Sequence, residues 1–291
     1  MSTRLTFNAN GLAFHALAEG EGPLALCLHG FPDTPHTFRV LMPALAAAGY
    51  RAVAPWMRGY APTETPADGS YQLAALAQDV AGMIDTLSKG GPAVVVGHDW
   101  GAAAAYGAAV VAGDQIRRLA VMSVPHPFTF MSAMMSSYVQ QKRSWYMFFF
   151  QTPLAEAVVP ADDFAFVERL WREWSPGFEP PADLLAEVRA ALSAPGCLAA
   201  ALGYYRALFN PTFLDPALAN LQDRITATPI PVPSLYLHGE RDGCIGAELI
   251  PGMEAFFAAG LETEIVPGAG HFPHLEAPGF VERRILEFLG K

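Results

Sequence analysis

Short apolar runs alternate with stretches of helical periodicity along most of this chain. The runs PLALCLHG, RAVAP, PAVVVG and RLAVMSVP begin at residues 23, 51, 92 and 118, and helical patterns cover Thr37–Ala48, Leu73–Leu87 and Ala102–Ala112. Continuous apolar strands that alternate with helices are typical of βαβ units, in which helices cover both faces of a mostly parallel sheet. The alternation therefore predicts an α/β fold with a mostly parallel central sheet.

This alternation is interrupted once. From about residue 126 to residue 228 the sequence is helical, aromatic and proline-punctuated, without a convincing strand. It then resumes with PSLYLHG from residue 233, a helix near Ala247–Ala259, ETEIVPG from residue 262 and a closing helix near Phe280–Leu289. We therefore expect a core domain made of residues 1–125 and 229–291, with residues 126–228 inserted as a helical cap, or lid.

Composition narrows the function. The net charge is -10, which argues against nucleic acid as a partner because phosphate binding needs clustered Lys and Arg. The longest Ala-rich run, 101–112, is shorter than the roughly 20 residues that span a bilayer. The first residues lack the apolar run of a secretory signal. We therefore expect a cytoplasmic protein that does not bind membranes, with homodimer formation left open.

The motif GHDWG at residues 97–101 lies between an apolar strand and a helix of small residues. It matches the pattern G-x-nucleophile-x-G, in which glycines permit a sharp turn that exposes the central residue at the strand end. Asp99 takes the position where esterases carry Ser. Asp is also a favoured helix N-cap, but the flanking glycines and the residues discussed next favour a nucleophile.

A carboxylate in this position narrows the chemistry. With a reference pKa of about 3.9 it is ionised at neutral pH and needs no base to activate it. Attack on an ester would give an anhydride, whereas attack on a saturated carbon that carries a leaving oxygen or halogen gives a stable alkyl ester. A water molecule and a base are then needed to cleave that ester.

Residues for this second step follow the last two predicted strands. His271 in PGAGHFPH is the expected base, with His274 as its rival. Asp242 in LHGERDGCI is the expected acid that orients the base, with Glu240 as the alternative. The order nucleophile, acid, histidine is the order of the α/β-hydrolase fold.

Backbone N–H groups next to the nucleophile complete the predicted site. HGFP at residues 29–32 follows the first apolar strand, and the N–H groups of Phe31 and Trp100 are the expected oxyanion hole for the Asp99 carbonyl. Losing one such donor typically lowers the rate by about 10²–10³. Cys27, Cys197 and Cys244 are too far apart in sequence to predict a disulfide framework or a metal site.

HGFP, GHDWGA and GAGHF, in this order, resemble the motifs of the epoxide hydrolases of the α/β-hydrolase superfamily, and the resemblance covers essentially the whole chain. It implies the family's fold, its Asp nucleophile and a reaction without a cofactor. SWYMFFFQ and GYYRALF are similar to the two segments in which the family carries ring-opening tyrosines, which implies this role for Tyr146 and Tyr205. Trp56, Ala61 and Gly203 depart from the family pattern and leave the pocket shape open.

The chemistry of the tyrosines can be argued independently. Opening an epoxide expels a basic alkoxide, and Tyr, with a reference pKa of about 10, can donate a proton to it at pH 7. A run such as WYMFFF is also what a buried aromatic face looks like. Tyr204 and Tyr205 point about 100° apart on a helix, so at most one of them faces the site.

These residues predict a two-step hydrolysis of an apolar epoxide to a vicinal diol. Asp99 forms a hydroxyalkyl ester, and His271 with Asp242 activates the water that cleaves it. Phe31, Trp100, Tyr146 and Tyr205 are also expected to contact the substrate, and neither a metal nor an organic cofactor is expected. Two alternatives remain, a haloalkane dehalogenase with the same Asp-His-Asp triad and a non-catalytic receptor that retains the pocket.

Overall fold

The computed structural model describes residues 2–290 and is built around one eight-stranded sheet. The strands are β1 Thr3–Ala9, β2 Leu12–Glu19, β3 Leu24–Leu28, β4 Arg51–Pro55, β5 Ala93–His98, β6 Ile116–Met122, β7 Ser234–Gly239 and β8 Leu261–Val266. They are ordered β1-β2-β4-β3-β5-β6-β7-β8. β1 and β2 pair antiparallel with their neighbours, and all other pairs are parallel.

Helices cover both faces of the sheet and fill the segment between β6 and β7. The helices of the first half are α1 Leu41–Ala47, α2 Leu73–Leu87 and α3 Trp100–Val111. The helices between β6 and β7 are α4 Pro127–Ser136, α5 Tyr138–Arg143, α6 Trp145–Phe149, α7 Leu154–Val158, α8 Ala161–Trp174, α9 Ala182–Ser193, α10 Cys197–Phe209 and α11 Ala219–Ala227. The last two are α12 Pro273–Glu276 and α13 Pro278–Gly290.

Burial explains why the sequence pattern differs from strand to strand. Every residue of β3, β5 and β7 is buried, because parallel strands at the centre of the sheet have helices on both faces. β1 and β8 lie at the two edges, where exposed positions alternate mainly with half-buried ones. Two loops of the site, after β5 and β7, are therefore carried by fully buried strands, and the third follows the edge strand β8.

Two predicted helices differ from the structure. Thr37–Ala48 is divided into a 3-10 turn over Pro35–Phe38 and the shorter α1. Pro43 has no N–H, so a helix running through residue 39 would lose the hydrogen bond to that carbonyl. Ala247–Ala259 is two 3-10 turns, Ala247–Leu249 and Met253–Phe256, because Pro251 is followed by Gly252 in the left-handed region at φ 87°.

Between 126 and 228, a stretch that the structure describes completely, the chain forms helices and turns and no strand. We call this segment the helical insertion. Within residues 2–290 no single helix has the length and apolar composition needed to cross a membrane, although α9 and α10, bent by 88°, pass that test as a pair.

Candidate active site

Asp99 stands at the turn between β5 and α3. Its backbone adopts φ 53° and ψ -122°, a conformation that costs a non-glycine residue about 1–3 kcal/mol. The flanking glycines are required by close packing: a Cβ at Gly101 would lie 2.0 Å from the Leu28 carbonyl oxygen, and one at Gly97 would lie 2.5 Å from the Gly101 carbonyl oxygen. The turn therefore holds the carboxylate at the carboxyl end of the sheet.

One oxygen of this carboxylate lies among backbone N–H groups. Asp99 Oδ1 accepts a hydrogen bond of 2.7 Å from the Phe31 N–H. A Cβ at Gly30 would stand 2.1 Å from that oxygen and 2.5 Å from the Trp100 nitrogen, so the Trp100 N–H lies near it. Of the two N–H groups that we expected to form an oxyanion hole, that of Phe31 hydrogen-bonds to Asp99 Oδ1, and only glycine fits at residue 30.

His271 faces the second oxygen of Asp99. Its Nε2 lies 3.6 Å from Asp99 Oδ2, and its Nδ1 lies 2.8 Å from Asp242 Oδ2. Asp242 Oδ1 is fixed in turn by the N–H groups of Cys244 at 2.7 Å and Ile245 at 3.0 Å. The structure thus brings together the three residues that the sequence assigned as nucleophile, base and acid.

Two carboxylates set the protonation of His271. Burial alone lowers its pKa, but the negative charges and hydrogen bonds of Asp242 and Asp99 outweigh burial and raise the pKa to about 10. For Asp242, burial raises the pKa, while the charge and hydrogen bond of His271 outweigh it, and the net shift is downward. The surroundings of His271 therefore favour its imidazolium form.

The alternative base and acid, His274 and Glu240, form their hydrogen bonds with other residues. His274 Nε2 lies 2.5 Å from Thr37 Oγ1, and Glu240 accepts the Gly268 N–H at 2.8 Å. Among the other histidines, His98 donates from Nε2 to the His271 carbonyl at 2.8 Å, so it supports the loop of the predicted base.

The helical insertion holds the loops of base and acid at one point. The Trp174 carbonyl, at the end of α8, accepts hydrogen bonds from the N–H of His271 at 3.1 Å and of Gly243 at 3.0 Å. Packing is so close that a Cβ at Gly243 would lie 2.1 Å from the Glu173 carbonyl oxygen, and one at Gly270 would lie 2.5 Å from the Ser175 Cα. Sequence reasoning missed this contact, because no local pattern marks a carbonyl that bridges two distant loops.

The predicted tyrosines approach each other from α6 and α10. The rings of Tyr146 and Tyr205 are both fully buried and lie 5.6 Å apart, nearly perpendicular. Within the described part of the chain the Tyr205 hydroxyl makes no hydrogen bond of normal geometry, although the Trp100 side chain lies close enough to lower its pKa, whereas the Tyr146 hydroxyl lies 3.3 Å from Cys244 Sγ. Burial raises the pKa of both phenols well above 10, so both keep their protons at neutral pH. The Tyr204 hydroxyl donates to the Arg58 carbonyl at 2.8 Å, so its proton is already used in a hydrogen bond.

A cavity of about 350 Å³ opens over Asp99. Its walls are mostly aliphatic and aromatic, and of the residues described by the structure no Lys, Arg, Glu or His lines it. Trp100 and Tyr205 belong to its lining, whereas Phe31 and Tyr146 do not. The lining residues are Tyr71, Gln72, Leu73, Asp99, Trp100, Ala103, Val124, Pro127, Phe128, Phe130, Met131, Met147, Tyr204, Tyr205, Ala207, Leu208, Leu214, Gln222, Thr226 and Ile245.

Two buried clusters have the spacing of metal ligands. One is the acid–base pair itself with Cys244. The other contains Asp33, His98 and His274, where burial raises the pKa of Asp33 to about 8 and lowers the pKa of His98 to about 4. Burial thus favours the neutral form of the Asp33 carboxyl. A protonated carboxyl is a poor ligand for a cation, so hydrogen bonding suits this cluster better than metal binding.

Comparison with known proteins identifies the fold family of the chain. The model of the α/β hydrolase fold family matches residues 23–278. Epoxide hydrolase 3 of Xenopus tropicalis is 33% identical over 289 residues, which cover 96% of this chain and 75% of that protein. Epoxide hydrolase 4 of Homo sapiens is 29% identical over 290 residues, which cover 96% of this chain and 76% of that protein.

Among solved structures, the epoxide hydrolase of Bacillus megaterium in complex with an inhibitor superposes with a TM-score of 0.83 at 26% identity, covering 99% of this chain and 100% of that one. The chain therefore belongs to the α/β-hydrolase fold family, and these three relatives are epoxide hydrolases. The predicted fold class and the resemblance drawn from the three sequence motifs are confirmed.

Proposed function

We propose that the protein hydrolyses an apolar epoxide to a vicinal diol through an ester on Asp99, with residues 126–228 acting as a cap over the site. The observation that carries the proposal is that the two oxygens of this carboxylate have different surroundings. Oδ1 is held by the Phe31 N–H at 2.7 Å, while Oδ2 lies 3.6 Å from His271 Nε2. One oxygen is thus positioned by the protein, and the other is left for bond formation with substrate.

The first step is attack on the ring. Asp99 Oδ2 forms a bond to one epoxide carbon, the bond from that carbon to the ring oxygen breaks, and the oxygen takes a proton from a tyrosine. Tyr205 suits this role because its buried hydroxyl has no other partner in the described chain and its ring lines the cavity. Tyr146, whose hydroxyl is hydrogen-bonded to Cys244, has a supporting role in this proton transfer.

Ester formation then converts His271 into a base. The charge of Asp99 is one of the contributions that raise the His271 pKa, and this charge disappears when the ester forms. The imidazolium then gives its proton to the tyrosinate, which restores the phenol and leaves a neutral imidazole. Asp242, at 2.8 Å from Nδ1, keeps Nε2 directed at the ester.

Hydrolysis completes the cycle. His271 Nε2 takes a proton from water, and the resulting hydroxide adds to the ester carbonyl carbon. The carbonyl oxygen that becomes negative is the atom beside the Phe31 and Trp100 N–H groups, which favours this intermediate. Collapse breaks the bond to the alkyl oxygen, the diol leaves with the proton of the added hydroxyl, and the enzyme returns to carboxylate and imidazolium.

Dehalogenation of an alkyl halide would use the same first and last residues. A halide is usually held by side-chain N–H donors next to the nucleophile; Trp100 offers one such donor, and Phe31 offers none. An unpaired phenol in the cavity is better matched to an expelled alkoxide. The observations therefore support an epoxide as substrate over a haloalkane.

The test is trapping of the ester. His271→Gln is mixed with styrene oxide or a fatty epoxide, and the peptide that contains Asp99 is examined by mass spectrometry. We expect an adduct of the substrate's mass, with little diol, while the matched variant His15→Gln, on β2, retains wild-type turnover. Diol formation by the wild type without any adduct in His271→Gln would contradict the covalent scheme. Halide release from a bromoalkane without diol formation would favour the dehalogenase, and no turnover of either would favour the receptor.

A further inference from the structure

The cavity has a second polar region at the end away from Asp99. Two carboxamides, Gln72 before α2 and Gln222 on α11, belong to its lining. Gln72 Oε1 accepts the Asp215 N–H at 2.6 Å, and Gln222 Oε1 accepts the Ala74 N–H at 2.9 Å. Because a backbone N–H can only donate, these contacts fix which end of each amide is oxygen.

Both amide nitrogens are consequently left with N–H donors. Neither nitrogen has a hydrogen-bond partner among the residues that the structure describes. Gln72 itself is buried, at 3% exposure, and belongs to the cavity lining, so its donors have little access to bulk water. A region that offers donors and no charged side chain is suited to an oxygen that only accepts, such as a ketone, an ester carbonyl or an ether.

The position of this region follows from α3, which forms one wall. A Cβ at Gly107 would lie 3.6 Å from the side chains of both Leu73 and Ile225, the neighbours of the two amides on α2 and α11. Trp100 and Gly107 both belong to α3, and a rise of about 1.5 Å per residue separates them by about 10 Å along the axis. The amides are therefore about that far from the nucleophile.

We propose that Gln72 and Gln222 form a specificity subsite for a neutral acceptor oxygen carried by the substrate about 10 Å from its epoxide. This inference rests on the proposed epoxide hydrolysis and names its substrate class: an apolar chain with an epoxide at one end and a carbonyl or ether oxygen further along. The absence of a Lys or Arg from the cavity lining, within the part of the chain described, favours a neutral oxygen over a carboxylate.

A matched substrate pair tests the subsite. One member is a saturated dodecyl terminal epoxide, and the other carries a ketone at its tenth carbon, since an extended chain advances about 1.2 Å per bond. We expect the wild type to prefer the ketone by about fivefold in kcat/KM, the size of one neutral hydrogen bond. Diol formation from the saturated member tests the proposed function by itself, so the two failures are distinguishable: no turnover of either contradicts the function, and equal turnover contradicts the subsite.

Two variants assign the preference to the amides. Gln222→Glu and Gln72→Glu keep the oxygen that accepts the backbone N–H but replace the free N–H donors by a carboxylate oxygen, so folding contacts persist. We expect each to abolish or reverse the ketone preference, measured as the ratio of kcat/KM for the two substrates. Gln115→Glu introduces the same charge in the turn before β6, at the other end of the strands, and should leave the ratio unchanged.

Structural damage would slow both members of the pair alike, so the ratio separates recognition from stability. A ketone preference that persists in both Gln→Glu variants would overturn the subsite. A third substrate, which ends in a carboxylate at the tenth carbon, checks the charge of the ligand. We expect it to be the poorest of the three, and a preference for it over the ketone would overturn the assignment to a neutral oxygen.

Discussion

The core and the helical insertion contribute to the site in different ways. Asp99 and Asp242 follow the central strands β5 and β7, His271 follows the edge strand β8, and their side chains or loops are held by backbone hydrogen bonds. Tyr146 and Tyr205 come from helices and are held by aromatic packing against each other and against Phe150. Under the proposed function, the core fixes the position of the reacting carboxylate, and the insertion supplies the tyrosine that protonates the ring oxygen. Substitutions in the two parts should therefore affect different steps.

The largest effect is expected for Asp242→Asn in the core. An amide cannot stabilise the imidazolium, so the pKa of His271 falls and its orientation is lost. We expect ester cleavage to slow by about 10²–10⁴, with the ester accumulating in single-turnover experiments. Glu240→Gln, a matched change on the same loop, should have little effect. Equal slowing of ester formation and cleavage would contradict this division between the steps.

Gly30→Ala should come next. The added Cβ would lie 2.1 Å from Asp99 Oδ1 and 2.5 Å from the Trp100 nitrogen, so the carboxylate must leave the N–H groups. We expect a loss of about 10²–10³ in kcat. Gly279→Ala, at a glycine where a Cβ would meet nothing within 4 Å, is the control. A fully active Gly30→Ala enzyme would exclude an oxyanion hole at this position.

The two tyrosines of the helical insertion are expected to affect ester formation and not ester cleavage. Tyr205→Phe removes the unpaired phenol and should slow ester formation by about 10², with ester cleavage unchanged. Tyr146→Phe should have a smaller effect, about tenfold, because the Tyr146 hydroxyl is already bound to Cys244. Stopped-flow measurement of the first turnover separates the two steps. A larger effect for Tyr146 than for Tyr205 would reverse the assigned roles.

The smallest effect concerns stability as a function of pH. The folded-state pKa of His271, about 10, is above the unfolded value of about 6.5, so the bound proton stabilises the fold fully below pH 6.5. This contribution is lost as the pH rises towards 10. Urea unfolding should therefore show wild type more stable than His271→Gln at pH 6.5, with the difference shrinking by pH 10. A difference that does not change with pH would mean that His271 is not protonated in the folded protein.

The same division explains how much could be predicted from the sequence. Asp99, Asp242 and His271 could be predicted because strand ends and glycines are local signals, and the structure places His271 2.8 Å from Asp242 and 3.6 Å from Asp99. Tyr205 was chosen over Tyr204 mainly by resemblance. The partner of Tyr146, Cys244, and the bridging carbonyl of Trp174 could not be predicted, because they depend on how distant segments pack. The helix expected at Ala247–Ala259 does not form, because Pro251 and Gly252 outweigh the helical periodicity of the apolar residues.

The Trp174 carbonyl also bears on protein engineering. Exchanging the helical insertion between relatives is an obvious way to alter which substrates are accepted. If the exchanged part includes residue 174, the carbonyl group that binds the N–H groups of His271 and Gly243 comes from the other protein. The donor's α8 would have to end at the same height and angle, or the base would tilt away from the nucleophile. Chimeras that retain Glu173, Trp174 and Ser175 from the recipient should therefore keep turnover. In chimeras that replace these residues, we expect the His271 imidazole to be misaligned even where the specificity changes.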